Sequence, residues 1–149
     1  MERENEKLWW GIFSSITDVK WVNHPLANLG ANYKPEQLFR AKNIGLKIPK
    51  TLITTSPENA KLFYSECNND IIIKPISFGY IERDKEENDS IVYTNRILNE
   101  SSEALDSVSL SPTLLQEHII KAYDVRINYI NDKFFAVKIH SQDHEDNMI

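Results

Sequence analysis

Lys74 comes directly after Ile71-Ile72-Ile73, so a β-branched strand brings its ammonium out of a sheet at a rigid position. A point charge held in this way can bind a phosphate. Gly79, in the Pro75-Ile76-Ser77-Phe78-Gly79 that follows, offers one place where backbone could approach an anion. For any single lysine at a strand end, snorkelling into solvent is the commoner outcome. A second group is Leu115-Gln116-Glu117-His118-Ile119, an aliphatic strand with a polar end. Its backbone N–H and C=O groups can read the edge of a purine, and its carboxylate can accept from a sugar hydroxyl. The third group is Asp124 with Arg126, two residues apart on one face of a strand. An exposed ion pair or solvated face is the ordinary account of such a pair, worth about 0–1 kcal/mol.

Other chemistries find less support. Ser14-Ser15 and the Ser-rich stretch 101–111 have no paired base, which argues against a serine nucleophile. Neither a phosphate-binding Gly-x-x-x-x-Gly-Lys loop nor a Gly-x-Gly-x-x-Gly turn occurs. His140 and His144, with Asp143, Glu145 and Asp146, have metal-ligand side chains, but they fall in a charged tail with no apolar frame to hold them, so no metal site is expected there. Cys67 is the only cysteine, which leaves no internal disulfide and no thiolate cluster; its place at a helix end marks it as a half-buried structural thiol. The formal charge of −5 gives no support to sequence-independent nucleic-acid binding, so any polyanion must be held by a few well-placed cations.

The elements that must position these residues read as follows. Residues 2–16 predict a helix with Leu8, Trp9, Ile12, Phe13 and Ile16 along one stripe, and the adjacent Trp9 and Trp10 need a surface to meet. Trp21 to Pro25 reads as a short extended segment. Pro35 and Gly45 punctuate a helix over 35–44. Thr51 to Thr54 is strand-like, and Ser56 caps a helix burying Ala60, Phe63, Tyr64 and Cys67. Ile71 to Lys74 is a buried strand, 82–90 a solvated connection, Ser90 to Ile97 a strand, 99–112 a loop or loose helix, and Thr113 to Ile120 a strand. A hairpin pairs 124–130 with 134–140 around a three-residue loop, Asn131-Asp132-Lys133. That register joins Val125, Ile127 and Tyr129 to Phe135, Val137 and Ile139, with Arg126 opposite Lys138 and Asp124 opposite His140. The class is α+β, with largely antiparallel sheet.

At 149 residues, 41% hydrophobic and 26% charged, the chain can bury one sizeable core or two small lobes, and disorder throughout is excluded. No apolar run approaches 18 residues, and Met1-Glu2-Arg3-Glu4 is too charged to begin a secretory signal, so a cytoplasmic protein without membrane partners is expected.

Taken in order, these segments resemble the ATP-grasp superfamily, in particular the ribosomal-peptide maturases and ribosomal protein glutamate ligases. Trp21 to Pro25, then Lys34, Gln37-Leu38, Ala41, Gly45 and Ile48-Pro49-Lys50-Thr51, resemble the lead-in to the central lobe. Ile71 to Lys74 is similar to the strand bearing the phosphate lysine. Gln116 to Ile119, Asp124-Val125-Arg126 and Phe135 to Ile139 resemble the hinge and the first hairpin of the last lobe. The resemblance implies a lead-in at 1–20, a central lobe at 21–112, and the start of a C-terminal lobe at 113–149. It further implies that Lys34 and Lys74 contact the phosphates of ATP, Gln116, Glu117, His118 and Ile119 line the adenine, Asp124 sits near the ribose, and Arg126 faces the phosphoryl end.

The implied reaction phosphorylates a carboxylate and passes the acyl group to an amine or hydroxyl, with an acidic precursor peptide or protein as partner. The sequence departs from the family in its glycine-poor loop after Lys74. The Mg²⁺ ligands expected in the family would lie beyond Ile149, so turnover by this chain alone is not expected. The other readings are a nucleotide- or peptide-binding remnant without chemistry, and a structural remnant whose cations are ordinary surface residues. Trp9, Trp10 and the hairpin's apolar face would be exposed without the lobes they are built to meet, and self-association as a homo-oligomer is expected.

Overall fold

The computed structural model describes residues 2–76, 80–81, 90–91, 93–97 and 102–141. The chain divides into two compact units, 1–48 and 49–149. The loop 77–79, the charged connection 82–89 and the acidic tail 142–149, all singled out from sequence, lie outside the described residues.

The first unit is helical. α1, Glu2–Ser15, carries Phe13 at the centre of an aromatic group, with ring centroids 6.0 Å from Trp9, 6.2 Å from Trp10 and 6.0 Å from Trp21. The paired tryptophans thus meet a ring of their own helix, although Trp9 stays exposed. α2, Pro25–Ala31, was not anticipated: Trp21 to Pro25 reads as an extended segment, yet Pro25 opens a helix. The step is local, because His24 keeps the extended backbone required before proline and its Nδ1 accepts from the Leu26 N–H. α3, Lys34–Asn43, ends where Gly45 adopts φ +84°, a conformation open to glycine at little cost.

The second unit is built on a four-stranded antiparallel sheet. β1 is Thr51–Thr54, α4 is Pro57–Glu66, and β2 is Ile71–Lys74. β3, Tyr80–Ile81, pairs only with β4, Ser90–Ile91, so the single strand read over 90–97 is two. β5 is Asn95–Ile97, α5 is Ser102–Asp106 followed by a 3₁₀ turn over Ser107–Leu110, and β6 is Thr113–Glu117. The sheet order is β1-β6-β2-β5.

Its register sorts the side chains. Leu52, Ile71, Ile73, Ile97 and Leu115 share one face and pack with Ala60, Phe63, Cys67, Leu105 and Val108 of α4, α5 and the turn. The core is therefore a sheet face under helices. Each side chain taken fully out of water contributes roughly 1.5–3 kcal/mol. Leu105 and Val108 come from the Ser-rich stretch that reads as loop or loose helix; the polar residues around them are the solvent side of a short helical cover. Thr51, Ile53, Ile72, Lys74, Arg96, Leu114 and Gln116 line the opposite face.

β7, Asp124–Ile130, and β8, Lys133–Ile139, form a separate hairpin. The three-residue loop read from sequence is wrong. Ile130 pairs with Lys133, leaving a two-residue turn at Asn131 and Asp132, with φ of 48° and 60°. Positive φ at both central residues gives the turn whose twist matches the strands. Arg126 consequently faces Val137 instead of Lys138, Asp124 faces Ile139 instead of His140, and Val125 faces Lys138. Both faces mix apolar and polar residues, and nearly the whole hairpin is exposed.

Candidate functional site

The site grows from the sheet face away from the helical cover. Lys74 ends β2 on that face, and its Nζ donates to Gln116 Oε1 at 2.9 Å. Gln116, buried on the adjacent β6, donates through Nε2 to Thr51 Oγ1 at 2.9 Å, and Thr51 donates to the Pro49 carbonyl at 2.9 Å. A polar chain across three strands therefore orients the ammonium and satisfies the buried amide.

Beyond Glu117 the ladder continues for two bonds. The Glu117 N–H donates to the Lys50 carbonyl at 3.0 Å and the His118 N–H to the Asp70 carbonyl at 3.2 Å. Ile119 is the next residue, and its N–H makes no hydrogen bond among the described residues. Asp70 grips this segment a second time through Oδ2, 3.1 Å from His118 Nδ1. Arg96 of β5 forks onto both oxygens of Asp70 at 2.7 Å. The Arg96 hydrogen bonds, helped by His118, hold the Asp70 carboxyl below the usual range, and Asp70 in turn raises Arg96.

Asp124 opens β7 with its carboxylate between the Ser141 hydroxyl and Lys121 Nζ, the latter at 2.9 Å. The Ser141 hydrogen bond first, then Lys121, depress its pKa, and the charge of Lys74 acts in the same direction. Pro49, Ile72, Lys74, Gln116, Glu117, His118, Ile119, Lys121 and Asp124 line one pocket of about 330 Å³, at the small end for organic ligands. Apolar residues and backbone meet two ammonium and two carboxylate groups there, a lining that suits a flat heterocycle carrying an anionic group.

Six of the eight residues singled out from sequence therefore share this pocket: Lys74, Gln116, Glu117, His118, Ile119 and Asp124. Arg126 does not line it; it stands exposed on β7, on the same hairpin face as Asp124. Lys34 opens α3 in the first unit and is half-buried there. Asp70, Arg96, Lys121 and Thr51 were not foreseen. Only Lys121 carried a local signal, three residues before Asp124. Among the described residues no three His, Cys, Asp or Glu side chains gather as a metal site, and no helix is long and apolar enough to cross a membrane.

A sheet of this order with helices on one face, a pocket on the other and a hairpin following β6 is a partial ATP-grasp fold. Within that fold the chain resembles ligases that act on ribosomal peptides. It is 30% identical to a RiPP-associated ATP-grasp ligase from Chryseobacterium gregarium, solved in complex with ADP and a leader and core peptide, with a TM-score of 0.83 over 97% of this chain and 42% of that one. It is also 30% identical to the macrocyclase MdnC from Microcystis aeruginosa MRC, solved with the precursor peptide MdnA, at a TM-score of 0.78 over 95% of this chain and 47% of that one. The macrocyclase MdnB of the same organism gives 26% identity and a TM-score of 0.69 over 93% and 45%. The chain thus spans less than half the length of these proteins. No protein-family model matches the sequence, nor does any curated protein.

Proposed function

We propose that the chain binds ATP as part of a ligase that activates a carboxylate on a ribosomal peptide or protein. A carboxylate oxygen attacks the γ-phosphorus, ADP leaves, and an amine or hydroxyl then displaces phosphate from the acyl phosphate. Such chemistry depends on positioning and on cations around the developing charge. Lys74 supplies one cation at the phosphates, with Lys34 as the second. Gln116 to Ile119 line the adenine, with the Ile119 N–H as a donor to its edge; Asp124 serves the ribose, and Arg126 the phosphoryl end. The partner is an acidic precursor peptide.

The observation that carries this reading is the single pocket joining Lys74 to the hinge and to Asp124. β6 lies between β1 and β2. We therefore put the junction between the central lobe and the next at the hinge after Glu117. Mg²⁺ supplies counter-charge to the polyphosphate in this chemistry. Asp124, the acid at the mouth of β7, is already engaged by Ser141 and Lys121, and no step is assigned through a metal on the described residues.

Calorimetric titration with ATP and ADP tests the assignment. Lys74→Ala should weaken binding by about 10- to 100-fold, the loss of a charge-assisted contact. Equal affinity in the variant overturns the assignment of Lys74. Phosphate release with an acidic precursor peptide, with and without a supplied C-terminal ATP-grasp lobe, then separates a ligase part from a binding module.

A further inference from the structure

Resting on the nucleotide assignment above, we infer that Asp70 locks His118 in the Nδ1-protonated tautomer and so makes His118 Nε2 an acceptor that selects a 6-aminopurine over a 6-oxopurine. Three contacts lead there. Asp70 Oδ2 lies 3.1 Å from His118 Nδ1, and Arg96 occupies both Asp70 oxygens with N–H donors at 2.7 Å. A carboxylate bound by a guanidinium stays ionised and offers only lone pairs, so the proton between it and the ring belongs to Nδ1. The Asp70 carbonyl also takes the His118 N–H, fixing the backbone that carries the ring.

In the neutral imidazole Nε2 is then left with a lone pair and no proton. His118 is nearly buried, and the pocket it lines is also lined by Ile119, whose N–H makes no hydrogen bond among the described residues. An amine at position 6 of a purine donates to such a nitrogen, whereas an oxygen there sets two acceptors against each other. Asp70 acts through His118 and is a positioning residue; His118 determines specificity.

The test combines imidazole ¹⁵N spectra, taken well above the ordinary histidine range of about 6.5, with the affinities of the full chain for ATP and inosine triphosphate. The wild type should show His118 protonated at Nδ1 and should prefer ATP on the order of tenfold, about one neutral hydrogen bond. In Asp70→Asn, Arg96 keeps the remaining oxygen and the amide turns an N–H toward the ring. The His118 proton should move to Nε2, and the preference should vanish or reverse. His118→Phe assigns the resonance and keeps a ring at the hinge; it should bind both triphosphates without preference.

Proton on Nε2 in the wild type, or a preference for ATP unchanged in both variants, overturns the inference. ATP binding with no preference in the wild type overturns it alone, whereas binding of neither triphosphate removes the nucleotide assignment and the inference together.

Discussion

The four-stranded sheet and the β7–β8 hairpin are both rich in large apolar residues, isoleucine and leucine in the one, isoleucine, valine and aromatics in the other, yet they are held in shape by different forces. In the sheet, Leu52, Ile71, Ile73, Ile97 and Leu115 meet a helical cover, and slipping one strand by a residue would move its apolar set to the wrong face. Burial therefore sets the register. In the hairpin, Ile127 is 61% and Phe134 75% exposed. No face there has burial to lose among the described residues, and the register falls to the turn, where Asn131 and Asp132 accept left-handed backbone.

The sharpest way to break this contrast is to truncate one residue on each side. Leu115→Ala should destabilise the second unit by about 2–5 kcal/mol in urea unfolding, since the leucine is fully buried. Ile127→Ala should cost no more than about 0.5 kcal/mol. Similar losses at both positions would mean that the hairpin is buried in solution. Next in size, Asn131→Val puts a β-branched side chain at positive φ, at about 1–2 kcal/mol. The loss should appear as faster amide exchange along β7 and β8, with sheet amides unchanged; uniform acceleration would show that the two regions open together.

A smaller effect concerns acid. Asp70 has its folded pKa below the unfolded value near 3.9, so its stabilisation is complete above about pH 4 and disappears as pH falls through the folded pKa. Asp70→Asn should thus be less stable than the wild type at neutral pH, with the gap closing in acid. A gap that does not change with pH would exclude the ion pair as its cause.

What was legible in the sequence follows the same division. Ser56 as cap, α4, β1 and the isoleucine strand could all be read because their determinants are local: a cap, a helical stripe, a β-branched run. The pocket residues came from the order of motifs, and six do line one pocket. Asp70 escaped notice because its partners lie 26 and 48 residues away, with nothing nearby to mark it. α2 was hidden by a proline that can end a strand or begin a helix. The hairpin register was misjudged by assuming a buried face, an assumption that is sound for the sheet.

Cys67 is the chain's only thiol; it sits within the core under β2, and burial pushes its pKa up. Ellman-type reagents attack the thiolate, so they should be excluded while the sheet and its helices stay together. The molecule thus carries its own clock for sheet opening, with no engineered label, and a ligand held by the pocket should slow that clock in proportion to its occupancy.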